Sequence, residues 1–293
     1  MSIFDNLKLN FRNGNTLTKL IYVNAAVFLI INIGIIFLKL FKIDGEMYLD
    51  WLAVPSNLSE LPYRFWTPLT YMFAHQNFMH ILFNMLMLYW FGKLFLMYFS
   101  EKQLLALYLF GGLLGALVYV TAYNVFPYYE GIRHASLLLG ASGAIMAVVI
   151  ATAVKSPNAE MQLLLIGRVK LVYIAVAVVL ISVFGVTGNN GGGEMAHLGG
   201  ALAGYVFVAL EKKNRDITPF FNRIIDFFVN LFRRKEPKLK VRKYHAAKMS
   251  DGDFNRKKSE NEQVINDILD KIKTSGYESL TSEEKRKLFE QKK

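Results

Sequence analysis

The sequence predicts an all-α polytopic membrane protein, with six transmembrane helices in a bundle followed by a cytoplasmic C-terminal tail. Three observations carry this. Of 293 residues 53% are hydrophobic and only 19% charged. Uncharged runs such as 20–38 and 103–126 are long enough to cross a hydrocarbon core of about 30 Å at roughly 1.5 Å per residue. The basic residues gather in a few short stretches between such runs and in the tail.

The spans are expected at about 18–40, 70–98, 103–126, 137–154, 169–187 and 194–211. The first run is too long for the core of a signal peptide and no small-residue cleavage site follows it, so it reads as a retained span. The second lies in an uncharged run, 65–92, that leaves its start open. The sixth, MAHLGGALAGYVFVAL, is short and rich in small residues, as expected of a helix enclosed by its neighbours. Residues 1–17 read as a cytoplasmic N-terminus, 18–212 as the six-helix membrane domain, 213–262 as an amphipathic and basic juxtamembrane linker, and 263–293 as a small helical module.

Loop charges orient the bundle. Lys8, Arg12 and Lys19 precede the first span, and Lys155, Arg168 and Lys170 lie in the 155–170 loop, whereas 185–195 has no Lys or Arg. Both termini are therefore expected on the cytoplasmic side of the cell (inner) membrane. The 41–66 loop, with Trp51, Leu52 and Trp66, is expected in the outer interface. Residues 211–293 carry 22 Lys/Arg against 14 Asp/Glu and so hold most of the net +11 charge. That excess sits beside the last span, which points to anionic lipid rather than nucleic acid. The chain has no cysteine, which excludes disulfides, thiolate metal sites and cysteine nucleophiles.

In this orientation the second, fourth and sixth spans all start on the outer side. The unusual polar residues fall near those starts: His80 and Asn84, Ser142, and His197. They share a depth of roughly 5–10 Å below the outer surface. Polar groups in spans are costly and tend to face an interior cavity, so four at one depth imply one site. A serine hydroxyl needs a base to act as a nucleophile, and His197 is the candidate. No carboxylate lies inside the fourth or sixth span, and Glu194 is expected at the mouth, so the arrangement reads as a dyad rather than a triad. His80 and Asn84, four apart on one helical face, and the Ser142 N–H are candidate donors to an oxyanion. Gly140 lets the chain turn tightly before the fourth span, while Gly143, Gly199, Gly200 and Gly204 allow close helix contact, with His197 on the Gly200–Gly204 stripe. Each piece alone has a plainer reading as packing surface; their combination at one depth is specific.

The segments H-I-L-F-N (His80 to Asn84), G-A-S-G (Gly140 to Gly143) and A-H-L-G-G-A-L-A-G (Ala196 to Gly204) resemble, in order and placement, the rhomboid family of intramembrane serine proteases. The resemblance covers about residues 15–212. It implies a six-helix rhomboid-like fold around a water-filled cavity, with Ser142 as nucleophile, His197 as general base, and His80, Asn84 and the Ser142 N–H as oxyanion donors. It needs no metal or other cofactor. It also implies that transmembrane protein substrates are cut near the outer membrane face. His75 matches a recurrent family histidine of structural or water-organising role. Tyr63-Arg64 stands where the family often has Trp-Arg. Met146 stands where some members stack an aromatic ring on the catalytic histidine, a place a thioether can also fill. The alternative on the same fold is a non-proteolytic binder or chaperone of membrane helices. A transporter would need charged residues at mid-membrane or inverted repeats, and neither is present.

Beyond the last span, PFFNRIIDFFVNLFRRK (219–235) reads as an interfacial amphipathic helix and 236–262 as a charged linker. Residues 263–290 read as two short helices turning at Ser275-Gly276, the second opened by a Thr281–Glu284 capping box. This resembles the short tails of a subset of bacterial rhomboids. The tail is expected either to stay solvated or to recruit a cytoplasmic partner.

Overall fold

A computed structural model of the chain describes residues 3–45, 47–163, 167–232 and 251–290. It divides into two compact units, residues 1–233 and 234–293. The first is an all-α membrane bundle. Helix α1 (Ile3–Asn13) leads into α2 (Thr16–Leu40), and short helices α3 (Met47–Asp50) and α4 (Thr67–Thr70) follow in the first loop. Then come α5 (Phe78–Phe95), α6 (Glu101–Val125), α7 (Ser142–Lys155), α8 (Leu171–Gly185), α9 (Gly191–Glu211) and α10 (Thr218–Phe232). Helices α2, α5, α6 and α9 are long and apolar enough to cross a membrane, while α7 and α8 are shorter apolar helices.

The caps explain where the helices start. Asn15 accepts from the Thr18 N–H to open α2, and Asn77 from the His80 N–H to open α5. Ser100 and Gln103 form a full capping box at α6. Asn77 also corrects the second span: residues 70–77 are not part of α5, because the chain makes short helical turns to Phe73, becomes extended at Ala74 and starts again at the Asn77 cap. The fourth span likewise starts at Ser142 rather than at 137. Leu137–Leu138 is a short strand, β2, antiparallel to β1 (Val54–Pro55), and it ties the first loop to the segment leading into α7. The 155–170 loop holds a second antiparallel pair, β3 (Glu160–Leu163) with β4 (Gly167–Lys170), in which Glu160 faces Lys170. Opposite charges across a pair favour it.

Helices α6, α7 and α9 form the centre. Ten of the fourteen residues of α7 are buried, whereas α2 and α8 turn Ile30, Ile33, Phe37, Ile181 and Phe184 outward. Apolar side chains gain little by leaving lipid for protein, so association in a bilayer rests on close packing. Gly200 of α9 lies directly on the carbonyl of Gly143 in α7, and a turn later Gly204 lies on the Ala147 carbonyl, where an added Cβ would also fall 3.0 Å from the Ala151 nitrogen. At their other ends the same helices meet again through Lys155 and Glu211, 2.9 Å apart. Phe95, the last residue of α5, and Phe99 just beyond it pack on Phe207 of α9. Helices α5, α7 and α9 thus run in parallel, with their N-termini at one end of the bundle.

Polar anchors fasten the periphery. Asn24 on α2 donates to Leu20 O and to the Tyr108 hydroxyl, and Tyr108 donates to Met72 O. In the first loop Trp51 and Trp66 stack face to face, the Trp66 ring N–H donates to Trp51 O, and Arg64 lies over the Trp51 ring.

The second unit is a helical hairpin of α11 (Asp251–Ser275) and α12 (Ser282–Glu290), joined through Gly276. Helix α11 begins at Asp251, ahead of the start expected at 263, and the positions 233–250 of the expected linker lie outside the described residues. Ile268 and Leu280 are buried between the helices. The capping box is present: the Glu284 carboxylate accepts from the Thr281 N–H at 2.7 Å, and the Glu284 N–H donates to the Thr281 hydroxyl. Lys271 donates to Glu284 at 3.0 Å across the hairpin.

Two predictions follow from this packing. Gly204→Ala should lower stability in detergent by roughly 1–3 kcal/mol through overpacking. Gly34→Ala, where an added Cβ meets nothing within 4 Å, should change it by less than about 0.5 kcal/mol; thermal unfolding followed by circular dichroism compares them. In the hairpin, the Thr281 N–H, the Lys271 ammonium and the Thr281 hydroxyl hold the Glu284 carboxyl down to about 2. The folded state lowers this pKa, so its contribution to stability is present above the ordinary carboxylate range and is lost as pH falls through about 2. Lys271→Gln should move the Glu284 titration midpoint upward in a carboxyl-carbon NMR titration.

Candidate functional site

The site is assembled where α5, α7 and α9 begin. Ahead of α7, Gly140 has φ +116° and its N–H donates to Tyr71 O at 2.9 Å. That backbone region is closed to side chains, and a Cβ at Gly140 would sit 2.7 Å from two atoms of the His80 ring. The turn therefore needs glycine twice over, for its φ and for the histidine laid against it. Helix α7 opens at Ser142 with Ala141 as its N-cap and no side-chain cap, and the first turn closes with Ile145 N–H donating to Ala141 O. The amides ahead of Ile145 have no intrahelical acceptor. The buried start of α7 thus presents free donors and the positive end of a helix dipole.

Ser142, His197, His80, Asn84 and Met146 line one cavity of about 490 Å³ together with Asn77, Phe83, Asn190 and apolar side chains of α5, α7 and α8. Four of the expected polar residues thus share one space with the methionine. The Asn84 amide donates one N–H to His80 O at 3.0 Å, which leaves the second for the cavity. His75 does not line that cavity. It is buried, and its ring meets that of His80 edge-on at 5.1 Å. Its Nδ1 donates to Phe73 O at 3.3 Å, and its Nε2 accepts a long 3.5 Å bond from the Ala141 N–H. His75 thus braces both His80 and the turn before Ser142. Gly143, Gly200 and Gly204 are in the α7–α9 contact rather than in the cavity wall.

Three partners were not expected from the sequence. Glu194, placed at the mouth, brings its carboxylate within 3.1 Å of His197 Nδ1. Ser182 on α8 lies 3.3 Å from the same nitrogen. Asn190, just before α9, lines the cavity. The spacing of Glu194 and His197, three apart on one helix, is the signal that would have revealed the first. A second, more polar cavity of about 460 Å³ shares His80 and Asn190 with the first and extends to Asn32, Lys39, Asp50 and Gln76.

Chemically, the cavity offers a hydroxyl at a helix N-terminus, an imidazole with a carboxylate on its far nitrogen, and amide donors, all enclosed among apolar helices. Among the described residues no group of three or more His, Asp or Glu is placed to hold a metal ion.

Comparison with known proteins agrees with this architecture. Residues 62–214 match the rhomboid domain, and residues 250–291 match a family of unknown function, DUF6576. The chain is 32% identical over 161 residues to RHOMBOID-like protein 12, mitochondrial, of Arabidopsis thaliana, covering 52% of this chain and 48% of that protein. It is 34% identical over 139 residues to Presenilin-associated rhomboid-like protein A, mitochondrial, of Danio rerio, covering 46% of this chain and 35% of that one. The chain thus spans about half or less of the length of these relatives. With a rhomboid domain matched over more than half of its residues, folded as a polytopic helical bundle, this chain belongs to the rhomboid family.

Proposed function

We propose that this protein is an intramembrane serine endopeptidase that cleaves transmembrane helices of membrane-protein substrates near the outer face of the membrane. The observation that carries the reading is the meeting of Ser142 and His197 with His80 and Asn84 in one cavity inside an apolar bundle. Polar groups are costly at such a place unless they act. In this reading the Ser142 hydroxyl attacks the substrate carbonyl while its proton passes to Nε2 of His197. The proton then moves to the leaving amine, and water, activated by the same ring, hydrolyses the acyl-enzyme. The second Asn84 N–H, the His80 ring and the Ser142 backbone N–H stabilise the oxyanion.

The length of α7 supports the depth of cleavage. Its fourteen residues rise about 21 Å, against about 30 Å of hydrocarbon. With its Lys155 end near the cytoplasmic boundary, its Ser142 end stops roughly 9 Å short of the outer one. We place six helices (α2, α5, α6, α7, α8 and α9) across the cell (inner) membrane, with both termini cytoplasmic, since basic residues gather at the N-terminus, the 155–170 connection and the tail. The substrate is a transmembrane helix with a small or glycine-rich outer end, since a helical backbone hides its carbonyls until it unwinds. The C-terminal hairpin is placed as a separate module that recruits a cytoplasmic partner.

The test is cleavage of a reporter transmembrane substrate in proteoliposomes, with covalent labelling by a fluorophosphonate probe. Ser142→Ala and His197→Ala should each lower cleavage by at least about 1,000-fold, and Ser142→Ala should abolish labelling. Cleavage that survives Ser142→Ala would overturn Ser142 as the nucleophile, and absence of both cleavage and labelling in the parent protein would overturn the protease reading in favour of a helix-binding role.

A further inference from the structure

We propose that Glu194 is the positioning residue for His197, holding the ring with Nδ1 as donor and Nε2 turned to Ser142, and balancing the charge the ring takes up. This deepens the protease reading and rests on it. The contact is specific. Glu194 Oε2 lies 3.1 Å from His197 Nδ1, and both side chains are largely enclosed, at 15% and 19% exposure. A carboxylate only accepts hydrogen bonds, so the facing ring nitrogen must carry the hydrogen, which leaves Nε2 as the bare lone pair. That is the tautomer a general base needs on its serine side.

The surroundings hold the carboxylate in place. The Ser182 hydroxyl, 3.3 Å from the same ring nitrogen, is buried against α9. At the end of α8, Gly185 has no Cβ where one would sit 2.8 Å from Glu194 Cγ and 3.1 Å from its Cδ. The carboxylate is seated in the gap a glycine leaves. A surface carboxylate at the cavity mouth would need no such gap. Around the His197 ring, the other charged or titratable group facing it is His80 on α5; α7 offers Ser142 and α8 offers Ser182, both neutral. Glu194 is thus the one anion among these facing groups able to answer the imidazolium formed when Ser142 gives up its proton.

The test uses the full chain in proteoliposomes. Glu194→Gln keeps the shape and an acceptor but loses the charge. It should lower kcat by on the order of 100-fold while KM stays within about twofold. Glu194→Asp should recover most of the loss. Gly185→Ala, which crowds the carboxylate without altering it, should lower kcat in the same way, and should add nothing in the Glu194→Gln background. Ring-nitrogen NMR shifts of His197 should report the Nδ1–H tautomer in the parent protein and a mixture in Glu194→Gln. A Glu194→Gln protein with the parent kcat, or unchanged kcat in Gly185→Ala with His197 in the parent tautomer in both, would overturn the proposal while Ser142-dependent cleavage stands. Absence of any Ser142-dependent cleavage in the parent protein would overturn it together with the protease reading.

Discussion

Where α9 crosses α7, Gly200 rests on the carbonyl of Gly143, and a turn later Gly204 rests on that of Ala147. The rest of the site depends on this contact. Ser142 is the residue before Gly143, and His197 is one turn before Gly200, so the backbone approach that brings the two glycines together also sets the register of serine against histidine. Any side chain at these crossings would hold the helices apart by the thickness of a methyl group or more, and every reach across the cavity would lengthen with them. In a bilayer no hydrophobic drive compensates such a gap, because lipid offers apolar side chains much the same surroundings as protein. Packing here is both what holds the fold together and what aligns the groups.

The second constraint is the shortness of α7. A helix of fourteen residues surrounded by longer ones cannot reach both faces, and its start has to be finished inside the bundle. The chain does so with a chain of backbone contacts. The Gly140 N–H is taken by Tyr71 O, the Ala141 N–H by the His75 ring, and the strand just before is pinned to Val54–Pro55. Tyr71 is in turn fixed by its hydroxyl on Gly112 O of α6. None of these contacts uses the first amides of α7, so the donors at Ser142 stay open while the turn behind them is held.

Much of this was legible in the residues. Long uncharged runs located the membrane helices, because hydrocarbon demands length and apolarity together. Helix rise is fixed once direction is known, which puts His80, Asn84, Ser142 and His197 at one level, and the four line one cavity. Other features were hidden for equally physical reasons. Residues 137–141 are as apolar as the helix they precede, and residues 70–77, although they hold His75, Gln76 and Asn77, carry no charge, so the expected spans run through both; only the Asn77 cap and the positive φ at Gly140 mark the true starts. The β3–β4 pair was masked by the charges that made its segment read as a loop. Placing Glu194 at the mouth overlooks that the His197 side chain tilts back toward the helix N-terminus and meets the residue three positions before it.

The last of these bears on how such a site tolerates water and charge. An imidazole that alternates between neutral and protonated forms inside an apolar bundle pays a desolvation penalty in the charged form, and the penalty grows with enclosure. A serine–histidine pair without a carboxylate must let water do the balancing, which keeps the cavity open. Here Glu194, seated over Gly185, brings a compensating charge to within 3.1 Å of the ring's Nδ1. Its position on the same helix as His197 makes the geometry independent of movements between helices. A shift of α5 or α8 against α9 would alter the cavity wall and leave His197 and Glu194 in register, since both are carried on α9.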